Sequence, residues 1–349
     1  MFNCDKYSNK GLSGLANLGN TCFINSCVQI LSHTYELNEF LEKQTFKKKL
    51  NNKVDTALLL EWDELRQLLW GNNCTISPNK FLSTIQKVAK IKGQDLFTGF
   101  SQNDLPEFLL FLIDCFHNSI SREVLMSISG TPENDTDYLA IECFNMIKNM
   151  YSKDYSEIWN LFYGVHVSEI TSLETGKTLK LTPEPYFMLD LPIPLNNKSP
   201  TLTDCMELYV EGEVLEGDNA WFNEKTGRKE NIKKKIVFWS FPNILVIDLK
   251  RFNSNGQKKQ MLVSYPLDNL DLSKYIIGYK KECYIYELYG VCNHSGNVLG
   301  GHYTSYVKNA NNKWYHFNDT SVSEVGINET IISTKAYCLF YRKKQKPTN

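Results

Sequence analysis

The feature that most limits the fold of this chain is a change of texture near Leu161. Before it, apolar residues recur at helical spacing: Phe23 and Ile24 through Val28 and Leu31, Leu58 to Leu60 through Trp62, Leu68 and Leu69, then Pro106 to Phe116. A fourth helix is predicted near Leu139–Tyr151, where Ala140, Phe144, Ile147 and Tyr151 share a face; Ser129 to Asp137 is a polar loop before it. After it come short β-branched and aromatic runs: Tyr163–Ile170, Leu179–Leu181, Ile236–Trp239, Ile244–Leu249, Tyr284–Val291, Tyr303–Val307 and Trp314–Phe317. Helices followed by strands predict an α+β fold of two unlike lobes, with a cleft where they meet.

The 38 basic and 39 acidic side chains of the 349 residues nearly cancel, so no global field favours nucleic acid or an anionic membrane. The N-terminus lacks the apolar core of a signal peptide, and the longest apolar runs, such as Phe108–Ile113, are too short to span a bilayer. Ten cysteines are scattered without a Cys-x-x-Cys pair, which suits reduced thiols rather than a disulfide framework. The expectation is a soluble intracellular protein, cytoplasmic, with nuclear residence left open, that binds neither nucleic acid nor membrane.

One cysteine stands out. Asn17-Leu18-Gly19-Asn20-Thr21-Cys22 leads into the first helix with turn residues and a candidate N-cap, Asn20 or Thr21, so Cys22 falls in the first helical turn. Unpaired N–H groups and the helix dipole there favour a thiolate, lowering its pKa from about 8.5 toward neutrality, and can hold an oxyanion. A lone buried cysteine is more often a small core residue, the role expected of Cys27.

A thiolate nucleophile needs an imidazole, and the imidazole a third group that fixes its ring. Of six histidines, His33 and His117 lie on helices and His166, His294 and His316 in or beside strands, all with structural roles expected. His302 follows Gly300-Gly301, where missing side chains would let a substrate backbone approach, and begins an alternating strand. A hairpin about residue 310 sets opposite each other positions summing to about 620, so His302 faces Asn318; the neighbouring Asp319 is the competing orienter.

The segment Leu12 to Ser26 resembles the cysteine box of ubiquitin-specific proteases nearly position by position. Gly300-Gly301-His302-Tyr303-Thr304-Ser305-Tyr306 with Trp314, Phe317-Asn318-Asp319 and Val322 resembles their histidine box. Gln102-Asn103-Asp104-Leu105-Pro106-Glu107-Phe108 resembles their Gln-Gln-Asp-x-x-Glu-Phe motif; the same residues also read as a helix start, with Asp104 as N-cap, Pro106 near N1 and Glu107 at N3. Family-like elements recur at Glu184–Leu191, Pro242–Phe252 and Ala336–Tyr341, so the resemblance runs from about Gly11 to Tyr341.

The resemblance implies a papain-like cysteine protease fold in a single catalytic domain over residues 11–342. Its helical thumb would cover about 11–150 and its β-ribbon fingers about 165–181 and 202–235, with the β-rich palm as the remainder. It also implies a deubiquitinating activity. Cys22 would attack the carbonyl of ubiquitin's last glycine, the Asn17 side chain and Cys22 N–H would steady the oxyanion, and His302 would protonate the leaving lysine amine. Asn318 would orient His302, with Asp319 as a further contributor. Asp104, Glu107, Gly300, Gly301 and Tyr303 would meet the Leu-Arg-Gly-Gly tail of ubiquitin. Partners would be ubiquitin and ubiquitinated proteins, with no cofactor.

One departure stands out. Many members pin the fingers with zinc through two Cys-x-x-Cys pairs, which here fall on Ser172/Thr175 and Asn223/Thr226, so no metal site is expected. The alternatives are a non-catalytic ubiquitin-binding module and a protease for a ubiquitin-like modifier; retention of both Cys22 and His302 weighs against the first, and the Asp104/Glu107 pair modestly against the second.

Overall fold

A computed structural model describes residues 4–297, 300–326 and 331–344. The helical part comprises α1 (Cys22–Ser32), α2 (Tyr35–Glu42), α3 (Asp55–Leu69), α4 (Asn79–Ile91), α5 (Leu105–Ile120), α6 (Asp135–Asp154) and α7 (Glu157–Phe162). Every residue of α1 is buried, which makes it the central helix of the molecule. Its polar side chains therefore need partners: the Gln29 amide donates to the Ser13 carbonyl at 2.7 Å and the Asn25 amide to Asp319 Oδ1 at 2.7 Å. Opposite it, α5 opens on Asp104 as N-cap with Pro106 in the first turn, and buries Leu105, Phe108, Leu109, Leu112 and Phe116. Phe23 and Phe108 meet edge to face with centroids 5.4 Å apart, and truncating the fully buried Phe108 would cost about 3–5 kcal/mol.

Two short strands, β1 (Gly14–Leu15) and β2 (Thr75–Ile76), pair in parallel beside α1. The ribbon begins with β3 (Gly164–Ser172) and β4 (Thr178–Tyr186), followed by β5 (Met188–Pro192). A helix not anticipated from the sequence, α8 (Leu202–Val210), comes next, so the stretch 202–235 is not ribbon throughout. Thr201 and Asp204 form a capping box, and the buried Leu202, Cys205 and Met206 dock on the core that holds β5. The ribbon resumes with β6 (Glu213–Leu215), β7 (Trp221–Asn223), β8 (Arg228–Glu230) and β9 (Ile232–Ser240). Strands β4-β3-β9-β6 form one antiparallel sheet, and β7 pairs with β8.

The main sheet is built from β10 (Ile244–Lys250), β11 (Leu270–Asp271), β12 (Ile285–Asn297), β13 (Gly300–Lys308), β14 (Trp314–Asn318), β15 (Ser321–Val325) and β16 (Ala336–Lys343). Its order is β15-β14-β13-β12-β16-β10-β5, with β11 on β12. Leu245, Ile247 and Leu249 of β10 face the palm core while Ile244 and Val246 face the helices, so this strand is apolar on both sides. One contiguous core therefore runs from Leu15 to Phe340 across both halves of the chain. Among the described residues no helix is long and apolar enough to cross a membrane.

Candidate active site

Cys22 opens α1 after Thr21, the N-cap, whose hydroxyl accepts from the Leu18 N–H at 2.9 Å instead of capping the helix. The bend before it is tied by Asn17: its Oδ1 accepts from the N–H groups of Gly19 at 3.1 Å and Thr21 at 3.2 Å. Helix α1 packs on β13, and the backbone N–H of Tyr303 is directed at the Cys22 sulfur. His302 is thus the chain neighbour of the residue that touches the thiol.

The expected depression of the thiol pKa is not found. Burial pushes Cys22 up, and the charge of Asp319 adds to that, against the Tyr303, Phe23 and Cys22 backbone N–H groups that favour the thiolate. With only 2% of its surface exposed, the sulfur loses more to desolvation than the helix terminus returns. The resting site accordingly favours the thiol over the thiolate. Cys27 is fully buried and pushed higher still by burial alone, as a core cysteine should be.

His302 is exposed at the start of β13, and its Nε2 lies 2.7 Å from Asn318 Oδ1. An amide oxygen only accepts, so Nε2 carries the hydrogen and Nδ1 of the neutral ring is left as the base. The hairpin register differs from the expected one: Ser305 pairs with Phe317, which sets Thr320 rather than Asn318 opposite His302. The contact with Asn318 is the diagonal one, which a ring can span.

Asp319 does not touch the imidazole. It sits at φ 50° in the turn between β14 and β15, a conformation that Asp tolerates. The turn presses on β1: the Leu15 N–H donates to the Asp319 carbonyl at 2.8 Å, and a Cβ on Gly14 would stand 2.3 Å from the Thr320 carbonyl oxygen. From there the Asp319 carboxylate accepts from Asn17 Nδ2 at 3.0 Å and from Asn25 Nδ2 at 2.7 Å. Asp319 therefore aims Asn17, whose amide keeps a second N–H, and ties the histidine strands to the cysteine helix.

A cleft of about 290 Å³ lies along β13, lined by Gln102, Asp104, Phe252, His294, Gly300 and Tyr337 among others. Asp104 turns away from capping α5 and accepts from the Tyr303 hydroxyl at 3.1 Å. Burial raises its pKa, opposed by its hydrogen bonds with Tyr337 and Tyr303. Glu107, a turn further on, is exposed and does not line the cleft. Gly300 and Gly301 are constrained by the protein itself: a Cβ on Gly301 would lie 2.3 Å from His294 Nε2, and one on Gly300 would lie 3.2 Å from Gln102 Oε1.

Gln102 is the contributor that sequence reasoning missed. Its amide spans the lobes, accepting from the Gly301 N–H at 2.6 Å and donating to the Gly301 carbonyl at 2.5 Å. Its place at the head of the acidic motif was the available signal, but only the fold brings it to the glycine strand.

At the ribbon the four positions aligned with zinc ligands carry hydrogen bonds of their own. Glu230 Oε1 accepts from Asn223 Nδ2 at 2.7 Å and Thr226 Oγ1 at 2.9 Å, and Ser172 Oγ accepts from the Thr175 N–H at 3.2 Å. Among the described residues no group of three or more His, Cys, Asp or Glu is placed to hold a metal. The thiols of Cys22, Cys27, Cys74, Cys115, Cys143, Cys205, Cys283, Cys292 and Cys338 are free.

Residues 13–341 match the protein family described as ubiquitin carboxyl-terminal hydrolase. The chain is 35% identical over 352 residues to Ubiquitin carboxyl-terminal hydrolase 2 of Homo sapiens, covering 98% of this chain and 56% of the relative. It is likewise 35% identical over 343 residues to the Gallus gallus protein of that name, covering 95% and 93%. The chain spans little more than half the length of the mammalian relatives. Among solved structures it resembles the SAGA Ubp8/Sgf11/Sus1/Sgf73 DUB module bound to ubiquitin aldehyde, with TM-score 0.74 and 25% identity over 97% of this chain and 71% of that one. The papain-like α+β fold expected from the sequence is the fold of these structures.

Proposed function

Since the chain belongs to the ubiquitin carboxyl-terminal hydrolase family, we propose that it hydrolyses the peptide or isopeptide bond after the C-terminal glycine of ubiquitin, through a thioester on Cys22. The observation that carries this is the meeting of a helix-start thiol with the strand that bears an amide-oriented histidine.

The chemistry follows from the protonation states. His302 Nδ1 takes the Cys22 proton as the sulfur attacks the glycine carbonyl, and the ring becomes an imidazolium whose Nε2–H stays on Asn318 Oδ1. The Cys22 N–H and the second N–H of Asn17 receive the oxyanion, with Asn17 held by Asp319. Nδ1 then protonates the departing amine, and the thioester remains. A water that gives its proton to Nδ1 attacks the thioester and releases the ubiquitin carboxylate and the Cys22 thiol. The Asp104–Tyr303 wall and the Gly300–Gly301 strand form the channel for the tail, which has to exchange with Gln102 at Gly301. Partners are ubiquitin and ubiquitinated proteins, with nucleic acid and membranes outside its range. Residence is cytoplasmic, with nuclear residence left open, in keeping with free thiols.

The test is hydrolysis of a fluorogenic ubiquitin C-terminal amide. Wild type should turn it over and Cys22→Ala should not, while Cys27→Ala keeps most of the rate. Turnover of a ubiquitin-like modifier in preference to ubiquitin would transfer the activity to that substrate, and equal loss in a folded Cys27→Ala protein would remove Cys22 from its role.

A further inference from the structure

His294 lies on β12 opposite Tyr303, deep in the wall of the cleft, and is 4% exposed. Its ring is packed between aromatic neighbours, with the Tyr303 centroid at 4.7 Å and those of Phe252 and Tyr337 at 5.7 and 5.8 Å. Behind it Lys258 Nζ lies 2.9 Å from His294 Nδ1 and 2.6 Å from the His294 carbonyl oxygen. Lys258 is held there by a tight loop: Asn253 Oδ1 accepts from the N–H groups of Asn255 at 3.1 Å and Gln257 at 2.8 Å, and Phe252 bridges to Lys258.

An ammonium group has only donors, so the nitrogen it touches must be the acceptor. Nδ1 is then bare, and the one hydrogen of the neutral ring sits on Nε2, at the cleft side. Burial and then the Lys258 charge push His294 down to about 4, which keeps the ring neutral. Burial and then Arg251 push Lys258 down to about 8, which leaves it largely protonated at pH 7. His294 and Gly301 both line the cleft, and they lie so close that a Cβ on Gly301 would stand 2.3 Å from Nε2.

We propose that Lys258 is a positioning residue that locks His294 as the Nε2–H tautomer, so that His294 donates a hydrogen bond to a backbone carbonyl of the substrate tail in the cleft. This rests on the reading of the cleft as the tail channel. It gives Gly301 a second use, since any side chain there would collide with the donor nitrogen. It also sets two histidines on one pair of strands in the same Nε2–H tautomer for different ends. His302 must keep Nδ1 free as a base, whereas His294 must keep Nε2 as a donor. Each is set by its partner, an amide oxygen in one case and an ammonium in the other.

The experiment combines long-range ¹H–¹⁵N correlation of the histidine rings in the resting protein with steady-state kinetics on the fluorogenic ubiquitin amide. Wild type should show His294 neutral with the hydrogen on Nε2. Lys258→Met should lose that preference and raise KM about fivefold, the weight of one hydrogen bond, with a much smaller change in kcat. Lys258→Arg, which keeps a donor, should recover both signatures. A Lys258→Met protein with the wild-type ring pattern and an unchanged KM would overturn the proposal. If wild type fails to hydrolyse ubiquitin amide, the functional reading falls, and the ring spectra still decide whether Lys258 sets the tautomer.

Discussion

Two clusters of polar side chains, one at the junction of the lobes and one at the ribbon, use similar hydrogen bonds to different ends. At the junction Asp319 binds Asn17 and Asn25 across about 300 residues of sequence, and Gln102 binds Gly301 across 199. At the ribbon Asn223, Thr226 and Glu230 lie within one hairpin. Loss of a local knot frays only its own turn. Loss of a junction bond shifts one lobe of the site against the other, and displacements of an ångström matter to catalysis far more than to stability. The junction should therefore be sensitive in rate and the ribbon in melting temperature.

The largest effect expected is at His302. Replacement by Ala should lower kcat/KM about 100-fold or more, the general acid–base contribution, with little change in melting temperature. Next comes Asp319→Ala, expected to cost about 10- to 100-fold because Asn17 loses its aim at the oxyanion. Asp319 acts through Asn17, so the Asp319→Ala/Asn17→Ala double variant should be little worse than Asn17→Ala alone; additive losses would point to a separate contact. Asn318→Ala should cost about tenfold, since a neutral amide orients the ring without stabilising imidazolium by charge. An Asn318→Ala loss equal to that of His302→Ala would break this ranking.

Asp319 has a further consequence that pH can read. Its negative charge raises the Cys22 pKa on top of the larger effect of burial. Asp319→Asn removes that charge, which favours the thiolate and moves the pKa down. The pH profile of Cys22 alkylation should then shift to lower pH even as turnover falls. An upward shift would contradict the electrostatic assignment.

Much of this site was legible in the sequence because its parts are local signals. The turn before Cys22 and the Gly300-Gly301 entry to His302 each declare themselves within a few residues. Even the His302–Asn318 pairing followed from a hairpin count, although the true register is displaced and the contact diagonal. What depends on the other lobe was not legible. The raised thiol pKa comes from the burial of Cys22 and then the charge of Asp319, and the role of Asp319 comes from a left-handed turn pressed against Gly14. Helix α8 was a different kind of miss, since the Thr201/Asp204 capping box and buried Leu202, Cys205 and Met206 were readable but lay inside a stretch assigned to ribbon. Helix α4 was also overlooked, although Phe81, Leu82, Ile85, Val88 and Ala89 mark one face.

The smallest effects should come from the ribbon. Asn223→Ala leaves Glu230 without one partner and should cost about 1 kcal/mol of stability, with kcat/KM within about twofold of wild type. Chelators should change neither the melting curve nor the rate. A ribbon that melts on chelation, or a stoichiometric metal in the purified protein, would reverse the assignment of Ser172, Thr175, Asn223 and Thr226 to hydrogen bonding alone.

The central claim is that the two lobes bring ubiquitin's C-terminus to the Cys22 sulfur and to no other thiol. Ubiquitin carrying a C-terminal electrophile, followed by peptide mapping of the adduct, measures this directly. One ubiquitin per chain on Cys22, lost in Cys22→Ala and slowed in Asp319→Ala, is the expected result. An adduct on another cysteine, or none in a protein that is otherwise folded, would contradict it.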